Sequence, residues 1–123
     1  MKNIILFILM LVFAVPVMAQ QAEEEMLSGR ELLTSCEEGA APGQPNQYCM
    51  RYVFGLVQTI DMLQQAEPGQ KLFCINPNII SLQEVTMKIT AWLKDKTSRL
   101  NEDAYVLVSE ALNTSYPCKR RGI

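Results

Sequence analysis

The 123-residue chain contains no histidine. The commonest general base and the commonest metal ligand are therefore both missing. A serine nucleophile has no imidazole to activate it, so the usual catalytic triad cannot form. No two cysteines stand in a Cys-x-x-Cys pair, which leaves structural zinc and haem attachment without sequence support. No glycine-rich phosphate loop is present. Strand signals are poor, because no alternating segment is flanked by hairpin turn chemistry. Beyond the N-terminus, no apolar run is long enough to cross a bilayer. No cofactor is implied by any of these features. The carboxylates do not make up the deficit: Glu37 and Glu38 are adjacent and point in different directions on a helix. Glu102 and Asp103 are explained by a helix start. The expectation is a protein that is not an enzyme.

What is present begins with an export pattern. Lys2 precedes an unbroken apolar run from Ile4 to Val15, Pro16 ends it, and Val17-Met18-Ala19 offers a cleavage site. The run is shorter than the roughly 20 residues that a spanning helix needs. The reading is a signal peptide over 1–19, cut after Ala19, and a single domain over 20–123. The expected compartment is the periplasm, with no membrane contact after cleavage. All 13 acidic residues lie beyond the cut, against 10 of the 11 basic ones. That acidic balance argues against a nucleic-acid surface. Glu23-Glu24-Glu25 and Lys119-Arg120-Arg121 read as solvated ends.

Four helices are legible. The first spans about Glu24 to Cys36 with an apolar stripe of Met26, Leu27, Leu32 and Leu33, weakened by Gly29. The second spans about Gln47 to Gln65, where Tyr52, Leu56, Ile60 and Leu63 recur at helical steps. Gly55 in it either admits a close neighbour or is merely tolerated. The third starts at a capping box, Ser81 with Glu84, and buries Leu82, Val85, Ile89, Trp92 and Leu93. Trp92 reads as core packing. The fourth begins at Asn101 as N-cap, buries Ala104, Leu107, Val108, Ala111 and Leu112, and is stopped by Pro117. The connections are Gly39–Asn46, Glu67–Asn78 and Lys94–Leu100. The fold class is all-α, a small disulfide-stapled bundle of about four helices.

The cysteines are Cys36, Cys49, Cys74 and Cys118, an even number behind an export signal, which reads as disulfides. Three connectivities are possible, and sequence alone does not select among them. Two antiparallel hairpins would bring Cys36 to Cys49 and Cys74 to Cys118 within bridging distance, so the helix reading favours that pairing.

Three stretches carry a family resemblance: Cys49-Met50-Arg51-Tyr52-Val53-Phe54-Gly55, Phe73-Cys74-Ile75-Asn76-Pro77, and Glu110-Ala111-Leu112-Asn113-Thr114-Ser115-Tyr116-Pro117-Cys118. In order and spacing the chain resembles the Rap/Tai group, periplasmic immunity proteins that protect bacteria from type VI secretion amidases. It departs from that pattern by one extra residue between Cys74 and Pro77. The resemblance implies a helical fold, two disulfides and often a homodimer. It also implies a cognate peptidoglycan amidase effector whose active-site groove the protein occludes. The polar segment Lys94-Asp95-Lys96-Thr97-Ser98-Arg99 is the candidate inserted element, with an ordinary solvated connection as the plain alternative. Two other readings remain: a periplasmic chaperone similar to the HdeA acid-stress proteins, and a structural envelope protein.

Overall fold

Local capping chemistry starts three of the four helices found among the described residues. The computed structural model describes residues 26–67 and 69–119. The export signal over 1–19, the acidic Glu23–Glu25 and the basic Arg120 and Arg121 lie outside the described residues. Helix α1 spans Gly29–Glu37, α2 spans Gln47–Ala66, α3 spans Leu82–Asp95 and α4 spans Ala104–Ser115, with a 3-10 turn at Thr97–Arg99. Ser28 and Glu31 form a capping box at α1, the Ser28 N–H donating to Glu31 Oε2 at 2.8 Å. Asn46 caps α2 through the Tyr48 N–H at 2.7 Å. Ser81 caps α3 through the Glu84 N–H at 3.1 Å. Each cap satisfies a backbone donor that has no partner within its own helix.

Two helix starts differ from the sequence reading. Helix α1 begins at Gly29, not near Glu24, since Met26 and Leu27 are non-helical. Helix α4 is capped at Asp103, not Asn101, and without a side-chain cap bond. The two differences have one physical cause. The Gly29 and Arg30 N–H groups donate to the Glu102 and Leu100 carbonyls at 2.9 and 2.8 Å, and the Ala104 N–H donates to the Leu27 carbonyl at 2.7 Å. Ser28 and Asp103 thus meet as an isolated antiparallel bridge. The starts of α1 and α4 satisfy each other's backbone, and a contact between residues so far apart in the chain leaves no local signature.

Among the described residues the fold is all-α, with helices packed on one apolar core and no strand. Helix α1 contacts α2, α3 and α4, while α3 packs on both α2 and α4. Leu32, Val53, Ile89, Leu93, Leu107 and Leu112 have no exposed surface. Disulfides join Cys36 to Cys49 and Cys74 to Cys118, with Cα separations of 4.8 and 4.9 Å. Gly39 and Gly43, at φ 63° and 75°, give the loop between α1 and α2 its left-handed turns.

Helix α2 outruns its support. Its 20 residues extend about 30 Å, whereas the nine of α1 extend about 14 Å. Only Cys49 and Val53 of α2 are buried, and Met62 and Leu63 near its end are 65% and 60% exposed. Beyond Ile60, which packs against the core, the Gln64 side chain ties the far end to the segment that follows. Gln64 Oε1 accepts from the Leu72 and Phe73 N–H groups, and Gln64 Nε2 donates to the Phe73 carbonyl. That clamp seats the buried Phe73 beneath the bundle.

The two helical glycines answer differently. A Cβ on Gly29 would collide with Leu107 Cδ1 and sit 3.3 Å from the Leu100 carbonyl oxygen, so α1 needs glycine for close approach. A Cβ on Gly55 would meet nothing within 4 Å, so no neighbour among the described residues uses its small size. Gly29→Ala is therefore expected to cost about 1–3 kcal/mol through overpacking. Gly55→Ala is expected to add roughly 0.4–1 kcal/mol by restricting the unfolded chain. Urea unfolding of the two variants measures both, and equal signs would contradict this assignment.

Candidate functional site

The segment from Lys94 to Arg99 is a helix end followed by a 3-10 turn, not a free loop. Lys94 and Asp95 are the last two residues of α3, and Thr97–Arg99 forms the turn. Lys94 Nζ lies 3.5 Å from Glu37, both side chains being about half exposed. Lys96 Nζ lies 4.0 Å from Asp95 and 5.3 Å from the centre of the Trp92 ring. The Asp95 side chain is 84% exposed. Ser98 is exposed. Exposed pairs of this kind contribute little to stability, typically under about 1 kcal/mol. Their charges are therefore free to meet a partner.

Arg99 is the exception. Its guanidinium reaches Glu102 at 2.8 and 3.1 Å and Glu110 at 2.8 and 2.7 Å. Two bidentate carboxylates use four of its five N–H donors. The turn is thereby tied to α4, and Arg99 faces its own protein. Of the five residues singled out from sequence, Lys94, Asp95, Lys96 and Ser98 stand on one exposed end of the bundle, with Arg99 beneath them as a brace. Trp92 is half-buried, packed against the core and under the Lys96 ammonium.

This brace titrates. Hydrogen bonds from Arg99 hold the Glu102 and Glu110 carboxyls below the ordinary carboxylate range, and the two carboxylates raise Arg99. A depressed carboxyl contributes stability that is present above its unfolded value, about 4.5, and lost as pH falls through its folded value. Thermal midpoints measured from pH 7 to pH 3 should therefore decline more steeply for the native chain than for Arg99→Gln. Parallel curves would show that the ion network is not coupled to folding. Glu31 behaves likewise, lowered by the Ser28 backbone N–H of its capping box.

Several exposed apolar residues were not singled out by the sequence reading. Ile79 is 77% exposed, on a turn where the Asn78 N–H donates to Asn76 Oδ1 at 3.0 Å and the Ile79 N–H to the Asn76 carbonyl at 3.1 Å. Its available signal was the absence of any charge from Leu72 to Gln83. An open cleft of about 370 Å³ lies between the Cys36–Pro45 segment and the Met87, Thr90, Ala91 and Lys94 side of α3. No His, Cys, Asp or Glu cluster of three or more that could hold a metal occurs among the described residues. All four cysteines are bridged. No described helix is long and apolar enough to cross a membrane.

Among the described residues the chain is thus four helices and two bridges with an exposed, charge-bearing end. Comparison with known families supplies the class. Residues 28–118 match the family model described as Rap1a immunity proteins. The chain belongs to the Rap1a immunity protein family. The matched segment starts at the Ser28 cap and stops at Cys118, so it takes in all four helices and both disulfides. No curated protein matches the chain. Membership of the Rap1a family makes the expected partner of the chain a toxin.

Proposed function

We propose that the protein neutralises a peptidoglycan-cleaving amidase delivered by type VI secretion, acting in the periplasm after removal of residues 1–19. The observation that carries this reading is the Rap1a family match over residues 28–118, on a chain whose first residues read as an export signal. Two disulfides are compatible with export to an oxidising compartment. Inhibition is by occlusion: a preorganised element fills the amidase groove and excludes the peptide substrate, so the inhibitor needs no reactive group of its own.

The surface proposed for that contact is the end of α3, with Lys94, Asp95, Lys96 and Ser98 facing the toxin and Arg99 holding the 3-10 turn in place. The brace matters because a bound element that is already ordered loses less entropy on association. The exposed Tyr48, Met62 and Leu63 of α2 are compatible with the homodimer that the family resemblance implies.

The test is inhibition of the amidase encoded beside this chain's gene. The native protein is expected to abolish its peptidoglycan cleavage. Asp95→Lys places a favoured cation at a helix C-terminus, so folding is retained. Combined with Lys94→Glu it should weaken inhibition by at least about tenfold, near 1.4 kcal/mol. Unchanged inhibition by the double variant removes this surface from the proposal. A native protein that leaves the amidase active removes the amidase reading itself.

A further inference from the structure

The two disulfides occupy opposite environments. Cys36 and Cys49 are 2% and 0% exposed, within the apolar core. Cys74 is exposed and Cys118 half-buried. Their bridge opens onto a cleft of about 610 Å³, which Lys71, Leu72, Asn113 and Lys119 also line. Cys36 borders the smaller cleft beside α3, but its own exposure is too small for attack in line with the S–S bond.

Thiol–disulfide exchange needs a thiolate to reach a sulfur along the S–S axis, and a leaving thiolate that is stabilised as it departs. Nearby ammonium groups favour both thiolates. The Cys74–Cys118 cleft offers both access and two ammonium groups, whereas the Cys36–Cys49 bridge is closed by burial, although Lys94 lines the cleft that Cys36 borders. We propose that Cys74–Cys118 is a thiol–disulfide exchange site that takes the thiolate of a dithiol reductant, and that Cys36–Cys49 is an inert staple.

The incoming thiolate attacks Cys74 Sγ, the sulfur of the more exposed residue. A mixed disulfide forms, the Cys74–Cys118 bond breaks, and Cys118 leaves as thiolate among the cleft's lysines. The second thiol of the reductant, deprotonated, then attacks its partner sulfur in the mixed disulfide. The reductant departs as a disulfide and Cys74 as thiolate. Two electrons pass from the reductant to the bridge, and its two thiol protons are released to solvent or to the cysteine thiolates. The clamp on residues 72–74 from Gln64, Asn113 and the Tyr116 carbonyl does not include the bridge and remains available to the reduced chain. The site does not depend on what the protein binds.

The experiment uses the native full-length mature protein with two small monothiols, anionic mercaptoethanesulfonate and cationic cysteamine. Iodoacetamide traps the released thiols, and peptide mass mapping locates them. The expected product carries the thiol adduct on Cys74 and the alkyl group on Cys118. It forms about 100-fold or more faster than any product at Cys36 or Cys49, whose exposure requires local unfolding. At low salt mercaptoethanesulfonate reacts faster than cysteamine, and this preference should shrink about tenfold in Lys71→Gln/Lys119→Gln and also in high salt. Both positions are exposed, so the variant keeps its helices by circular dichroism. Comparable rates at the two bridges, an adduct on Cys118, or a charge preference that survives loss of both lysines each overturns the proposal.

Discussion

Replacing Cys74 and Cys118 together by alanine is expected to lower the unfolding free energy by about 4 kcal/mol, in the chain-entropy model of loop closure. The bridge spans a sequence separation of 44, so its loss frees a long segment of the unfolded chain. Cys74 is exposed, so little packing is lost with the sulfur and the entropic part dominates. The shorter Cys36–Cys49 loop, with separation 13, carries about 3 kcal/mol by the same model. Burial of those two cysteines adds a packing loss that offsets the difference in loop length. For a domain of this size, about 4 kcal/mol is a large share of the usual 5–15 kcal/mol. It corresponds to a drop in melting temperature of roughly 15–30 °C. Calorimetry of the two double variants measures this. A drop under about 5 °C for the Cys74/Cys118 pair would mean that the unfolded chain is already compact there.

Leu107→Ala is the second large effect, expected to cost about 3–5 kcal/mol, in the upper part of the range for buried leucine. Leu107 is fully buried on α4 and reaches α1 at Gly29, where no side chain stands to relax into the void. The geometry also predicts the sign of a coupling. Gly29→Ala overpacks the native chain, because the new methyl meets Leu107. In the Leu107→Ala background the same methyl enters the space that leucine vacated. The double variant should therefore be more stable than the sum of the two single losses, by roughly 0.5–3 kcal/mol. Additive losses would show that α1 and α4 separate instead of packing through this contact.

These contacts mark the limit of what the linear sequence contains. The second and third helices were legible because their signals are local: apolar residues recur along Gln47–Ala66, and Ser81 with Glu84 caps Leu82–Asp95. The first helix carries the same capping signal at Ser28 and Glu31, but an apolar stripe that continues back to Met26 obscured it. The start of the fourth was not legible, because the carbonyls of Leu100 and Glu102 are used by Gly29 and Arg30 some 70 positions away in the chain. The site shows the same division. Polar character marked Lys94–Arg99 as surface, and Lys94, Asp95, Lys96 and Ser98 are there. Arg99 looks equally available in sequence, yet its charge is consumed by Glu110, eleven positions on. The exposed Ile79 and the end of α2 left no periodic trace, since exposure depends on how far neighbouring helices extend.

By itself the sequence determined a histidine-free, helical chain with four cysteines and an export pattern, because composition, period and capping act over a few residues. Only the tertiary structure decided that α1 and α4 begin by satisfying each other's backbone, that Gly29 is a packing requirement, and that Arg99 is a brace. It also decided that one bridge lies in the core while the other opens onto a lysine-lined cleft. Each of those outcomes depends on which distant groups are brought within a few ångströms, and that proximity exists only once the apolar faces have closed on one another.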